Sequence, residues 1–224
     1  MKSNIARISV QIVTLTIGAL NLYGQGTFQN LDFENPVLPL IRDSSFEVPI
    51  TNALPGWAGY LGVFQVDRVV YNTVSLGAAA ISLQGPGSGL PAIAGNYSVV
   101  LQSAFGVAPD GTAAVGQTGQ IPVTARSLRF YGSTDMQVTF IGQSLTLFGL
   151  GIGPNYQIVG ADISGFAGQT GELKFLIPDL TPLGSTSSYL DNIVFSSQSI
   201  PEPSVLGLFG LGALLFAYRS RRLT

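Results

Sequence analysis

The sequence predicts an all-β domain, a β-sandwich of the jelly-roll type, flanked by an N-terminal signal helix and a C-terminal short transmembrane helix. Between residues 27 and 200, short alternating runs of polar and apolar residues recur, and no long stretch has apolar residues at the helical 3.6-residue period. The chain has 28 glycines and only 10% charged residues, which favours tight turns over long surface helices. Without helices to cover a parallel sheet, two packed sheets are the simplest way to bury such strands.

Nine segments show the strand pattern, each bounded by Gly, Pro, Asn or Asp. They are residues 28–33, 62–71, 97–102, 127–131, 137–141, 144–148, 156–159, 171–176 and 189–195. Gly142 and Gln143 predict a two-residue hairpin turn, because glycine accepts the positive φ that such turns require. The Gly- and Pro-rich stretch 85–91 and the segment 108–120 are predicted as loops.

The N-terminus has the order of a bacterial signal peptide. Lys2 and Arg7 precede an uncharged stretch at residues 8–22, and small residues follow. A positive start stays in the cytoplasm while the apolar part enters the translocon, so residues 1–26 are predicted to be a signal peptide. The alternative is a buried N-terminal helix, which Asn21 and the following Gly-Gln-Gly would end without a cap.

The C-terminus combines helix-breaking prolines, a short apolar stretch and a positive cluster. These parts are Pro201, Glu202 and Pro203, the uncharged residues 205–218, and then Arg219, Arg221 and Arg222. The arginines resist crossing a membrane, which predicts that the folded domain lies on the far side and the tail in the cytoplasm. A helix of fourteen residues spans only about 21 Å of a hydrocarbon core about 30 Å thick, so it predicts a transient anchor.

This C-terminal order resembles the PEP-CTERM sorting signal of bacterial exosortase substrates. The resemblance covers residues 201–224 and implies recognition by an exosortase, a membrane cysteine protease-like enzyme, with cleavage near residues 201–203. It also implies export through the secretory translocon and passage through the inner membrane. The final location of the protein would be the cell surface or the extracellular matrix, often alongside exopolysaccharide. An ordinary C-terminal anchor predicts the same topology but leaves the Pro-Glu-Pro and the short span unexplained.

The composition excludes several function classes. The chain has no cysteine and no histidine, which removes disulfides, thiolate chemistry and the usual general base at neutral pH. Residues 27–200 contain five basic and eleven acidic side chains, a net charge of −6 that argues against nucleic acid as a partner. We therefore predict a protein that is not an enzyme and has no catalytic residues.

Four short motifs resemble the galactose-binding-like jelly rolls of carbohydrate-binding modules. They lie at residues 30–34, 54–57, 162–170 and 189–193. The resemblance implies a structural calcium ion held by Glu34 and Asp191, since carboxylate oxygens suit that ion. Two alternatives stay open. These carboxylates are solvated or hydrogen-bonded without a metal, or Asp32 and Glu34, on one face of a strand, form a glycosidase acid/base pair.

Trp57, the only tryptophan, follows a Pro-Gly turn and is predicted either to fill the core or to stack on a sugar. In the second interpretation Tyr60 and Tyr71 accompany it as ligand-binding residues.

The sequence thus divides into a signal peptide (1–26), an exported β-sandwich (27–200) and a sorting signal (201–224). The first hypothesis is a non-enzymatic surface or matrix protein, exported, processed by an exosortase and able to bind glycan. The alternatives are a His-free carbohydrate-active enzyme that uses Asp and Glu, and a structural or adhesive protein without a ligand. Apart from the calcium site, no cofactor is expected.

Overall fold

The computed structural model describes residues 26–38, 46–75, 77–104, 111–178 and 185–200. These residues form fourteen strands, a short α-helix and a 3₁₀ turn at Ser164–Phe166. The first elements are β1 (Glu47–Pro49), α1 (Ile50–Ala53), β2 (Ala58–Leu61), β3 (Phe64–Val66), β4 (Arg68–Tyr71), β5 (Ala80–Gln84) and β6 (Ser98–Gln102). The others are β7 (Ala113–Gln120), β8 (Ser127–Gly132), β9 (Gln137–Phe140), β10 (Gln143–Ser144), β11 (Leu147–Ile152), β12 (Gln157–Asp162), β13 (Thr170–Ile177) and β14 (Ser187–Ser196).

The strands form two sheets. One has eight strands in the order β1-β4-β5-β6-β14-β8-β12-β11, and the other has six in the order β10-β9-β13-β7-β2-β3. Neighbouring strands are antiparallel except for β4 and β5, which run parallel. The predicted all-β sandwich is therefore confirmed, and the jelly-roll order of connections stays a prediction.

Aromatic side chains from both sheets and from the N-terminal segment form the core. Phe130 of β8 meets Phe175 of β13 edge to face, with ring centroids 5.2 Å apart. The ring of Trp57 lies 5.4 Å from that of Phe33 and 6.2 Å from that of Phe175. Alternating inward side chains of the two sheets interdigitate here, which is why the period-two pattern predicted the sheets.

Several predicted strands match observed ones to within a few residues, including 97–102, 127–131 and 189–195. The run at 62–71 is divided between β3 and β4, and the run at 144–148 between β10 and β11. The predicted loop at 85–91 contains no strand.

The prediction of a strand at 28–33 is wrong. Asn30 and Phe33 have positive φ, 49° and 56°, so the segment turns twice where a strand would continue. Leu31 and Phe33 are buried while Asp32 is exposed. The turns therefore reproduce the alternation of a strand without its hydrogen bonds.

The prediction of a loop at 108–120 is also wrong for most of its length, because β7 pairs with β13 along all eight residues from Ala113 to Gln120. Small residues and glycines favoured a loop, but this strand lies between β2 and β13, where tertiary pairing overrides local preference.

The predicted hairpin between β9 and β10 is confirmed, with its turn one residue earlier. Phe140 pairs with Gln143, so the turn residues are Ile141 and Gly142, whose φ angles are 51° and 74°. Two consecutive positive φ values are the signature of a type I′ turn.

Within the described ranges, no helix is both long enough and apolar enough to cross a membrane. The predicted signal helix at 8–22 and the predicted transmembrane helix at 205–218 lie outside those ranges.

We expect Trp57→Ala to lower the free energy of unfolding by about 3 to 5 kcal/mol, because it would leave a cavity among the core rings. Urea unfolding of the domain measures this value. Ile152→Ala is the control: its side chain is 87% exposed, and a change within about 0.5 kcal/mol is expected. A Trp57→Ala effect no larger than that of the control would contradict the assignment of Trp57 to the core.

Candidate functional site

Glu34 is hydrogen-bonded to the loop between β5 and β6. Its Oε1 accepts hydrogen bonds from the backbone N–H groups of Asn96 (2.7 Å) and Tyr97 (2.9 Å), and its Oε2 accepts one from Asn96 Nδ2 (3.2 Å). Gly95 has φ +54°, and a Cβ built there would lie 2.2 Å from Glu34 Oε1. Glycine therefore lets the carboxylate approach the loop this closely.

Asp191 of β14 contacts the same loop at Ala94 and the first residue of β6 at Ser98. The residue is only 1% exposed. Its Oδ2 accepts a hydrogen bond from Ser98 Oγ (2.6 Å) and its Oδ1 one from the backbone N–H of Asn192 (2.6 Å). Burial raises the pKa of Asp191 to about 7 and the charge of Glu34 adds to the shift, although hydrogen bonds from Ser98, Asn192 and Ala94 oppose it. A carboxyl group of this kind titrates near neutral pH.

The structure thus brings the two predicted calcium ligands to one loop. Each of their four carboxylate oxygens already accepts a hydrogen bond. The described contacts are those of the hydrogen-bonded alternative, and the calcium site stays a prediction. In the part of the chain that the structure describes, no three His, Cys, Asp or Glu side chains are grouped to hold a metal.

Asp32 and Glu34 do not form the predicted pair on a strand face. Asp32 is exposed in a turn, where its Oδ1 accepts a hydrogen bond from the backbone N–H of Glu34 (3.3 Å). Glu34 instead turns towards Asn96 and Tyr97. In the structure, both carboxylates accept hydrogen bonds from backbone N–H groups.

Two of the three predicted ligand-binding aromatic residues lie in the core. Trp57 is 4% exposed and donates a hydrogen bond from Nε1 to the backbone oxygen of Asn30 (3.0 Å). Tyr71 is 2% exposed, with its hydroxyl near Gly85. Neither ring presents a face to solvent on which a sugar could stack.

Tyr60 lies at the surface, on the outward face of the six-stranded sheet. Its hydroxyl donates a hydrogen bond to Glu172 Oε1 (2.9 Å), and Lys174 Nζ lies 3.8 Å from the centroid of its ring. Partial burial is the main cause that raises the pKa of Tyr60, and the hydrogen bond to Glu172 raises this pKa further. We call Tyr60, Glu172 and Lys174 the outer-face cluster.

Small residues of β7 form the floor beneath this cluster. Tyr60 is paired with Ala114, and Lys174 with Gly116. A Cβ on Gly116 would lie 2.8 Å from Glu172 Oε1, so a larger residue would displace that carboxylate. The strand pairing therefore brings side chains from β2 and β13 together across a strand that separates them.

Sequence reasoning did not single out Glu172 or Lys174. The available signal was their spacing of two within the predicted strand 171–176, which places both on one face. Their approach to Tyr60, more than a hundred residues earlier, depends on the order of strands in the sheet.

The end of the described chain is attached to the eight-stranded sheet. Ser196 is the last residue of β14, and its backbone oxygen accepts a hydrogen bond from the N–H of Arg126 (2.8 Å). Ser127 Oγ donates to the backbone oxygen of Gln198 (2.6 Å). Hydrogen bonding to the domain thus continues beyond the last strand.

Ile200 occupies an apolar groove on the outward face of this sheet. Its side chain is only 8% exposed. A Cβ built on Gly160 would lie 2.7 Å from Cδ1 of Ile200 and 2.7 Å from Cδ1 of Leu150, which shows how closely both side chains cover this glycine. We call this site, lined by Gly160 and Leu150, the Ile200 groove.

Residues 199–222 match the PEP-CTERM protein-sorting motif. The predicted sorting signal is therefore confirmed, and it indicates a secreted protein that is transiently anchored in the membrane before processing by an exosortase. No curated protein matches the chain. Among solved structures, it is similar to the apo form of a cyclase from Fischerella sp.. That similarity has 16% identity and a TM-score of 0.40, and it covers 75% of this chain and 93% of the cyclase.

We expect the wild-type domain to lose stability as the pH rises from about 4 to about 7, when its free energy of unfolding is compared with that of an Asp191→Asn variant. The folded state holds the Asp191 proton more tightly than the unfolded state, so ionisation in this range favours unfolding. The slope should be on the order of 1 kcal/mol per pH unit. Urea unfolding at a series of pH values measures it.

Asp67→Asn is the matched control for this experiment, because Asp67 is exposed on the surface. Its pH profile should follow that of the wild type. If Asp191→Asn also followed the wild type across this range, the raised pKa would be refuted.

Proposed function

We propose that the exported domain is a non-enzymatic, glycan-binding protein of the cell surface or extracellular matrix. The observation that carries this proposal is the outer-face cluster, in which an aromatic ring, a carboxylate and an ammonium group meet on an open sheet face. The resemblance of residues 30–34, 54–57 and 189–193 to carbohydrate-binding modules supports the same class of ligand.

The chemistry of the cluster suits a sugar. Glu172 accepts hydrogen bonds from hydroxyl groups, and Lys174 donates them. The Tyr60 ring, one face of which is covered by Lys174 Nζ, adds apolar surface beside these groups for the C–H groups of a pyranose. Hydrogen bonding to Glu172 and contact with Lys174 hold the ring in place, which lowers the entropy cost of binding.

Polar side chains extend this surface beyond the cluster. Thr118 is paired with Glu172, and Thr139 is paired with Lys174, so both share the outward face. A face several strands wide, with hydroxyl groups on both strands that flank β13, suits a chain of sugars better than a single one. Exopolysaccharide is the ligand of this kind that the matrix would supply.

We expect Tyr60→Ala to weaken glycan binding about tenfold or more, because it removes both the apolar surface and the support of Glu172. A glycan array identifies the ligand, and titration calorimetry with that ligand measures the loss. Tyr156→Ala is the control: Tyr156 is stacked on Tyr131 at the other sheet, with ring centroids 4.0 Å apart. It should bind as the wild type does.

Two results would contradict the proposal. No binding by the wild type to any glycan would favour the structural or adhesive alternative. Turnover of a glycan that Glu172→Gln abolishes would favour the enzyme alternative, with its carboxylate on the outer face.

We expect millimolar calcium to leave the melting temperature unchanged, because the oxygens of Glu34 and Asp191 already accept hydrogen bonds. Thermal unfolding with and without calcium measures this. A rise in the wild type that Glu34→Gln removes would instead assign a structural calcium site, as the resemblance implies.

A further inference from the structure

The sorting motif overlaps the folded domain. The motif begins at residue 199, whereas the described fold extends through Ile200, whose side chain is buried in the Ile200 groove. Part of the sequence that marks the chain for processing is therefore also part of the packed structure.

Little chain separates the groove from the apolar segment of the tail. Only residues 201–204 lie between Ile200 and Val205, where the uncharged stretch begins. Four residues span at most about 14 Å even when fully extended. A cut that removes the apolar stretch and leaves Ile200 on the domain therefore falls between Ile200 and Val205.

Proteolytic enzymes bind a substrate as an extended segment, and cleavage close to a folded region depends on local opening of that region. The residues adjoining residue 201 are held by the buried side chain of Ile200 and by the hydrogen bond from Ser127 Oγ to the backbone oxygen of Gln198. The residue that adjoins residue 201 is therefore out of reach of an enzyme while Ile200 is in its groove.

We infer that Ile200 is a positioning residue for processing: while it occupies the Ile200 groove, the domain restricts access of the exosortase to residues 201–204. Cleavage then proceeds from the minor state in which Ile200 has left the groove. Gly160 and Leu150 set the population of that state, since they form the surface against which Ile200 packs. This inference is independent of glycan binding.

The test is a pulse-chase measurement of processing for the full-length chain in exosortase-containing cells, with mass spectrometry of the new C-terminus. Leu150→Ala removes packing from the groove and leaves every residue of the sorting motif intact. It should speed processing about tenfold, because loss of apolar contact raises the open population. Leu61→Ala is the matched control, since Leu61 is a partly buried leucine in β2 of the other sheet.

A second variant separates access from general loss of stability. Ten Gly and Ser residues inserted between Ile200 and Pro201 would let the enzyme reach its substrate with Ile200 still packed. Chains with this insertion should be processed faster than the wild type. In these chains, Leu150→Ala should not change the rate of processing further. The inference is overturned if Leu150→Ala is processed at the wild-type rate or more slowly, if Leu61→Ala is accelerated equally, or if the insertion leaves the Leu150 effect in place.

Discussion

The position of β14 between β6 and β8 is the constraint on which the rest of the structure depends. The backbone of β14 forms two ladders in succession, one with each neighbour, and so joins the two parts of the eight-stranded sheet. Its N-terminal half pairs with β6, its C-terminal half pairs with β8, and a register shift lies between Asp191 and Val194. Ile193 also donates a hydrogen bond to Leu31, which attaches the N-terminal segment.

Two features of this protein follow from that position. The carboxylate of Asp191 reaches the loop that Glu34 also holds, so the first and last parts of the domain meet at one place. The chain then continues from β14 into residues 197–200, so the first two residues of the sorting motif, 199 and 200, are part of the described domain. The two outward faces thereby differ: one holds Ile200, and the other presents Tyr60, Glu172 and Lys174.

Patterns in the sequence predicted strands correctly where one physical cause dominates. Alternation predicted most strands of both sheets, because a half-buried strand must place apolar residues on one side only. The same rule failed at residues 28–33, where turns at Asn30 and Phe33 bury alternate side chains without forming a strand. It also failed at 113–120, a strand of small and polar residues that is stabilised by its neighbours.

The sequence by itself determined the export and processing of this protein, because a signal read by the membrane and a processing enzyme is linear and depends on the order of prolines, apolar residues and arginines. It also determined an all-β class. Only the tertiary structure decided that Trp57 and Tyr71 are core residues, that Tyr60 joins Glu172 and Lys174, and that Ile200 is packed in a groove. Such contacts join residues far apart in the chain, and their formation depends on strand order, which local patterns do not encode.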